Sequence, residues 1–255
     1  MEFSIWFTLI FLLVLIEIYK IILSDTLVTI KSKRNDKMFI KKMKKSPIIF
    51  IHIPKNAGTF VRKTIKGENE NGQDYYGGGD HMSLSQLSKQ FPDVYKKHIF
   101  FAVSRNPYDR LVSNYEFAVH KSSDDMQQKQ VLGIFKQNNI KSFEDFVNYL
   151  YNNFQKENEN TFMKLKVIHW FPQTYFITIN DKIPDKLKII NIDNITHELY
   201  QIIQTFGLNC SIHTNKANVV NHKHFTSYYK NNSIKDKVYE IYKKDFQMLN
   251  FDRHI

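Results

Sequence analysis

Apolar and polar positions fall in blocks along the chain, and three short blocks read as buried strands. Ile48 to Ile53 is β-branched or aromatic except for His52, stops at Pro54 and gives way to a helical pattern. The run from His98 to Ser104 repeats this plan: it ends in a polar turn and enters a helix through Pro107, with Leu111, Val112, Tyr115 and Val119 as the buried face. A third strand is predicted over Lys188–Ile192, followed by a stripe of Ile195, Leu199, Ile202, Ile203 and Phe206 that Gly207 terminates. Strand followed by helix, repeated, predicts an α/β domain with a parallel sheet and helices on both faces, its ligand at the strand ends.

Other helices carry start signals. Ser83 with Gln86 forms a capping-box pattern just after His81. Ser142-Phe-Glu-Asp opens a helix to about Phe154, with Phe143, Phe146, Val147 and Leu150 inside. Ser233 with Asp236 is read as the start of the last helix, whose Ile234, Val238, Ile241, Tyr242 and Phe246 pack inward. Gly67 to Asp80, Lys121 to Gln130 and Gln155 to Asn160 read as polar loops. At the other end, Phe3 to Leu23 is apolar enough and long enough for one membrane-spanning helix of about 20 residues, without the basic start and small-residue end of a cleaved signal. The expected organisation is an anchor over 1–23, a basic stem over 24–46 and one domain over 47–255, a length and a 42% hydrophobic composition that allow a real core.

Candidate chemistry gathers where the first two strands end. In Pro54-Lys55-Asn56-Ala57-Gly58-Thr59 the amides of Ala57 to Phe60 open a helix, so they and Lys55 can face phosphate oxygens, while Thr59 can cap or donate. Gly58 is expected to let the backbone turn. The lysine precedes the glycine and the Gly-x-x-x-x-Gly-Lys-Ser/Thr spacing is absent, which weakens a kinase or ATPase reading; an ordinary β–α turn stays open here. In the second motif Arg105 can grip a phosphate bidentately and Ser113 can donate a hydroxyl, whereas Asp109 and Arg110 are expected to form a solvated ion pair.

Pro54 to Thr59 and Arg105-Asn-Pro-Tyr-Asp-Arg-Leu-Val-Ser113 resemble the two cofactor signatures of the Golgi-type carbohydrate sulfotransferases, the heparan, chondroitin and dermatan sulfotransferase-like proteins of sulfotransferase family 2. Trp170-Phe-Pro-Gln173 and the ending from Val238 to Asp252 are also similar to that family, so the resemblance runs from about Pro47 to Asp252. It implies a P-loop-like sulfotransferase fold and the donor 3′-phosphoadenosine-5′-phosphosulfate. Lys55 and the loop Pro54, Asn56, Ala57, Gly58, Thr59 would hold the 5′-phosphosulfate, and Arg105 with Ser113 the 3′-phosphate. It also implies His81 as the base that deprotonates an acceptor hydroxyl, a surface or capping histidine being the alternative.

The acceptor side is sought around His169-Trp170-Phe171-Pro172-Gln173, since an indole stacks on sugar rings and an amide bonds their hydroxyls; aromatic core packing is the competing reading for Trp170. Lys223, in a stretch rich in basic and hydroxyl groups, is a further candidate phosphate contact, and a simple basic surface loop reads equally well. A net charge of +11 and a pI near 9.4 suit anionic donors and a carbohydrate acceptor, including an anionic polysaccharide. No nucleic-acid-binding signature accompanies that charge. One cysteine, Cys210, excludes an internal disulfide framework and a cysteine metal cluster, and no metal is expected.

Localisation pulls two ways. The lysines and arginines from Lys31 to Lys45 follow the apolar segment, and that charge bias favours a cytosolic domain. The resemblance implies a Golgi-type lumenal one, as would glycans on Asn194-Ile-Thr, Asn209-Cys-Ser or Asn231-Asn-Ser. The expectation is a single-pass membrane protein with a lumenal domain.

Overall fold

Three strands, β1 (Ile48–Ile51), β2 (Ile99–Ser104) and β3 (Leu187–Asn191), pair in parallel in the order β1-β2-β3. The computed structural model describes residues 47–66, 81–120, 126–157, 160–208, 210, 212 and 223–255. The apolar segment Phe3–Leu23, the basic stem, the loop Gly67–Asp80 and the Asn209 acceptor lie outside them. Among the described residues no helix is long and apolar enough to cross a membrane.

Register explains why β1 and β2 are apolar on both faces. Ile49 pairs with Phe100 and Ile51 with Ala102, and all four enter one core; Ile48, Phe50, Phe101 and Val103 enter the other. Strands covered on both sides lose the polar alternation of a half-exposed sheet. Helix α1 (Gly58–Lys66) lays Val61 and Ile65 against the second core. On the first face lie α2 (Leu84–Gln90), α3 (Pro92–Lys97), α4 (Pro107–His120), α5 (Met126–Gln137), α6 (Phe143–Glu157), α7 (Thr161–Leu165) and α8 (Gln173–Ile177). After β3, α9 (Ile195–Thr205) returns to the second core through Leu199, Ile202 and Ile203, and α10 (Asn232–Ile241) and α11 (Lys243–Met248) close the first. The described domain is therefore a mixed α/β fold with helices on both sides of a parallel sheet.

Local signals act as their chemistry dictates. Ser83 and Gln86 make a reciprocal capping box, and Ser142 receives the Asp145 amide while Asp145 takes that of Ser142. Gly207, at φ 57°, ends α9 in the left-handed conformation that glycine adopts without a side-chain clash. Four expectations shift. Residues 126–130 belong to α5 rather than a loop, and α6 runs on to Glu157. The last long helix is capped by Asn231, whose side chain accepts from the Ile234 amide, not by Ser233. Val119, expected inside, is 39% exposed because α4 reaches the surface near its end.

Candidate active site

The loop after β1 is held in an uncommon conformation. Lys55 and Ala57 have φ of 68° and 56°, the left-handed region that costs a residue with a side chain about 1–2 kcal/mol. Such a shape persists only where surroundings fix it, and three consecutive residues are gripped from far away in sequence. Arg110 Nε donates to the Pro54 carbonyl at 3.0 Å, and Arg105 Nη1 to the Lys55 carbonyl at 3.0 Å. Asn56, fully buried, donates through Nδ2 to the Val103 carbonyl and to Gln173 Oε1, both at 2.6 Å, while its own Oδ1 has no hydrogen-bond partner.

Gly58 serves a purpose other than turning. A Cβ placed there would lie 1.7 Å from His52 Nε2, so the imidazole of the residue just after β1 packs against the start of α1 where only glycine fits. The positive φ angles belong to Lys55 and Ala57 instead. First-turn amides of a helix have no acceptor within it, and those of α1 open beside Lys55.

Helix α4 brings the second motif to the same place. Asp109, Ser113 and Phe117 follow at intervals of four and share one helix face. Arg105 Nε and Nη2 bond Asp109 Oδ2 and Oδ1 at 2.7 and 2.9 Å, and the Lys55 ammonium stands 3.9 Å from the Phe117 ring centroid. Ser113 lies between these two contacts on the helix, partly exposed. The expected Asp109–Arg110 pair is thus corrected: Asp109 partners Arg105, and Arg110 is buried, bonding the Pro54, Phe171 and His169 carbonyls. Among the described residues three of Arg105's five N–H groups are used, which leaves two for an anion.

Histidines complete the arrangement. His81, at φ 66°, has Nδ1 3.2 Å from the His52 carbonyl, and its ring lies 4.3 Å from that of His52 and 5.4 Å from that of His169. His169 in turn meets Phe117 at 5.8 Å, so contacts run from Lys55 through Phe117, His169, His81 and His52 back to Gly58. Burial, reinforced by the charge of a protonated His81, pushes the His52 pKa from 6.5 down to about 2. Burial also holds His169 well below the ordinary value, with His81 and Lys55 acting in the same direction. A carbonyl can accept only from a protonated ring nitrogen, so in neutral His81 this contact puts the hydrogen on Nδ1 and the basic lone pair on Nε2.

Two acceptor-side expectations are overturned by burial. Trp170 is 1% exposed, packed on Phe146 at 5.3 Å and near Tyr149, with no face for a sugar. Gln173 is fully buried: its Oε1 accepts from Asn56 and from the Arg105 amide, and its Nε2 donates to the Arg105 carbonyl at 2.8 Å. His169 keeps a partly exposed edge. Lys223 is exposed and stands just before a 3₁₀ turn, Phe225–Tyr228, which Tyr228 Oη fastens to Glu116 of α4 at 2.6 Å.

Sequence reasoning passed over His52, Phe117, Arg110 and Asp245 as site or support residues. His52 could have been flagged as a polar residue inside an otherwise apolar run, which is informative when buried, whereas Asp245, preceded by Lys243 and Lys244, gave no such signal. Asp245 is fully buried and receives the Gln173 amide at 2.7 Å, with the Thr174 amide and hydroxyl both at 2.8 Å. Among the described residues no group of three or more His, Cys, Asp or Glu is placed to hold a metal ion.

A strand-end loop that opens a helix, a lysine on it, and an arginine with a serine on the neighbouring strand and helix agree with the comparison against known families. A model described as the Sulfotransferase family matches residues 37–252. The chain belongs to the sulfotransferase family. No curated protein matches it. Membership in that family supports sulfotransferase activity in general and implies a sulfonate donor such as 3′-phosphoadenosine-5′-phosphosulfate.

Proposed function

We propose that the protein transfers a sulfuryl group from 3′-phosphoadenosine-5′-phosphosulfate to a hydroxyl of a carbohydrate acceptor. The observation that carries this reading is the convergence of Lys55, the first turn of α1, Arg105 and the Ser113 face of α4 on one loop, with a histidine ring beside them. The donor set fits an anionic nucleotide: it consists of an ammonium, backbone amides, a guanidinium with unused N–H groups and a hydroxyl. When bound, the donor supplies an activated sulfuryl group on a phosphate leaving group.

Each residue then has a definable task. Lys55 and the first-turn amides of α1 stabilise negative charge that develops on the departing phosphate, and they are fixed in place beforehand by the grip on residues 54–56. Arg105 and Ser113 receive the 3′-phosphate. His81 Nε2 accepts the proton of the acceptor hydroxyl, with Nδ1–H anchored on the His52 carbonyl. Because burial keeps His52 and His169 neutral, they add no positive charge beside the base. The partly exposed rings of His81, His169 and Phe117, rather than Trp170, border the acceptor side.

The test is an assay of sulfate transfer from the donor to a panel of neutral and anionic oligosaccharides, with wild type and His81→Asn. Sulfated product from wild type and a loss of about 10²–10⁴-fold in the variant are expected. Transfer to no sugar, with donor turnover intact, would remove the carbohydrate part of the proposal. Membrane anchorage and a lumenal location belong to the same proposal and are tested by protease protection and glycosidase sensitivity in cells.

A further inference from the structure

The two anion-binding motifs sit on separate strands, and one buried amide joins them. Gln173 Oε1 accepts from Asn56 Nδ2 at 2.6 Å and from the Arg105 amide at 3.0 Å, so a single oxygen spans the loop after β1 and the turn after β2. Its Nε2 closes the contact on the Arg105 carbonyl. Gln173 itself is fixed from the far end of the chain, because Asp245 on α11 takes its amide and both donors of Thr174. Arg110 runs in parallel, tying the Pro54 carbonyl to the carbonyls of His169 and Phe171 just ahead of Gln173. None of these four side chains is exposed enough to meet a ligand: Asn56, Gln173 and Asp245 are at 0% and Arg110 at 2%. Buried polar groups of this kind are costly unless satisfied, and here, Asn56 Oδ1 apart, they are satisfied chiefly by one another and by the two motifs.

We propose that Gln173 and Asp245 are positioning residues that set the spacing between the Lys55 loop and Arg105, coupling the C-terminal helix to both halves of the nucleotide site. This rests on the reading of those motifs as the donor site. Asp245 orders α8 at its first residue, Gln173 transmits that order to Asn56 and Arg105, and displacement of α11 loosens both motifs together. A purely structural role would instead weaken the whole domain evenly.

The decisive experiment compares wild type, Gln173→Met and Asp245→Asn in the full chain by amide hydrogen exchange without ligand, and then by titration with 3′-phosphoadenosine-5′-phosphate. Methionine fills a similar volume without the three bonds, and asparagine turns one Asp245 acceptor into a donor facing an N–H. The expected result is exchange faster by about tenfold or more at residues 53–60 and 104–106, with α9 on the opposite face unchanged, and a tenfold or greater loss of nucleotide affinity per folded molecule. Thr174→Val, which removes one bond to Asp245 and leaves Gln173 intact, should give a smaller effect in the same segments. If Asp245→Asn does not fold, Gln173→Met decides alone. Unchanged protection of both motifs in Gln173→Met, or faster exchange that includes α9 equally, would overturn the proposal. A wild type that binds no nucleotide would refute the donor-site reading, while the exchange data would still decide the coupling.

Discussion

The two motifs that form the candidate site share Gln173 as an anchor, but the Lys55 loop and the Arg105 side chain are held differently. The Lys55 loop is fixed by partners 47 to 117 residues distant: Val103, Arg105, Arg110 and Gln173. Arg105, by contrast, has its main side-chain contact four residues on, with Asp109 in the first turn of the helix it precedes. A loop held by long-range contacts can keep left-handed residues and a tight approach to His52, because the rest of the fold opposes their relaxation. The Arg105 side chain stays adjustable, since its Asp109 contact is made within one helical turn at the partly exposed edge of the site and not by packing of the core. On the proposed function this is a division of labour in which the first motif performs the chemistry and the Arg105 side chain exchanges part of its Asp109 contact for a ligand.

The contrast breaks most sharply at Lys55. Lys55→Ala should lower turnover by about 10²–10³-fold while the thermal midpoint stays close to wild type, because the side chain extends over Phe117 rather than into the core. Near-normal turnover in a steady-state assay would contradict a catalytic first motif. Gly58→Ala comes next. Its Cβ would meet the His52 ring, and overpacking of this kind costs about 1–3 kcal/mol, read from denaturant unfolding; an unperturbed midpoint would show that the ring and loop are less tightly fitted than described.

A pH series sharpens the same point without mutation. His52 titrates near 6.5 when unfolded and near 2 in the fold, so between those values the unfolded chain binds the extra proton. Its contribution to stability is complete above pH 6.5 and falls as the pH drops, by about 1.4 kcal/mol per unit, with His169 adding in the same direction. Unfolding free energies measured from pH 7 down to 5, above the main carboxylate range, should show that slope; a flat profile would mean both rings are open to water. The smallest effect is expected at the Arg105–Asp109 contact, where Asp109→Asn, which keeps one of the two hydrogen bonds to Arg105, should cost about 1 kcal/mol or less in the same unfolding measurement.

How much of this was readable from the residues follows the same division. The strands, the helical stripes after them and the capping boxes at Ser83 and Ser142 depend on neighbours within a few positions, and apart from exposed Val119 and a one-residue shift of β3 they stand where periodicity and capping chemistry put them. The gathering of Lys55, Arg105 and Ser113 at the strand ends was legible because parallel strands followed by helices carry their loops to one edge. What failed was burial decided by tertiary contact. Asp109 and Arg110 are adjacent in sequence, yet helical geometry points them apart, one toward Arg105 and the other into the core. Trp170 and Gln173 have the chemistry of a sugar site, and only the packing of α6 and α11 over them shows that they serve the interior. The α5 start at 126–130 lacked an apolar stripe and so gave no helical signal.

The central claim, a nucleotide site built from both motifs, is tested most directly by calorimetric titration of the full chain with 3′-phosphoadenosine-5′-phosphate, alongside adenosine 5′-phosphate and the Arg105→Ala variant. Binding that requires both the 3′-phosphate and Arg105 is the predicted result. Absence of binding by folded protein, or binding indifferent to the 3′-phosphate and to Arg105, would contradict it.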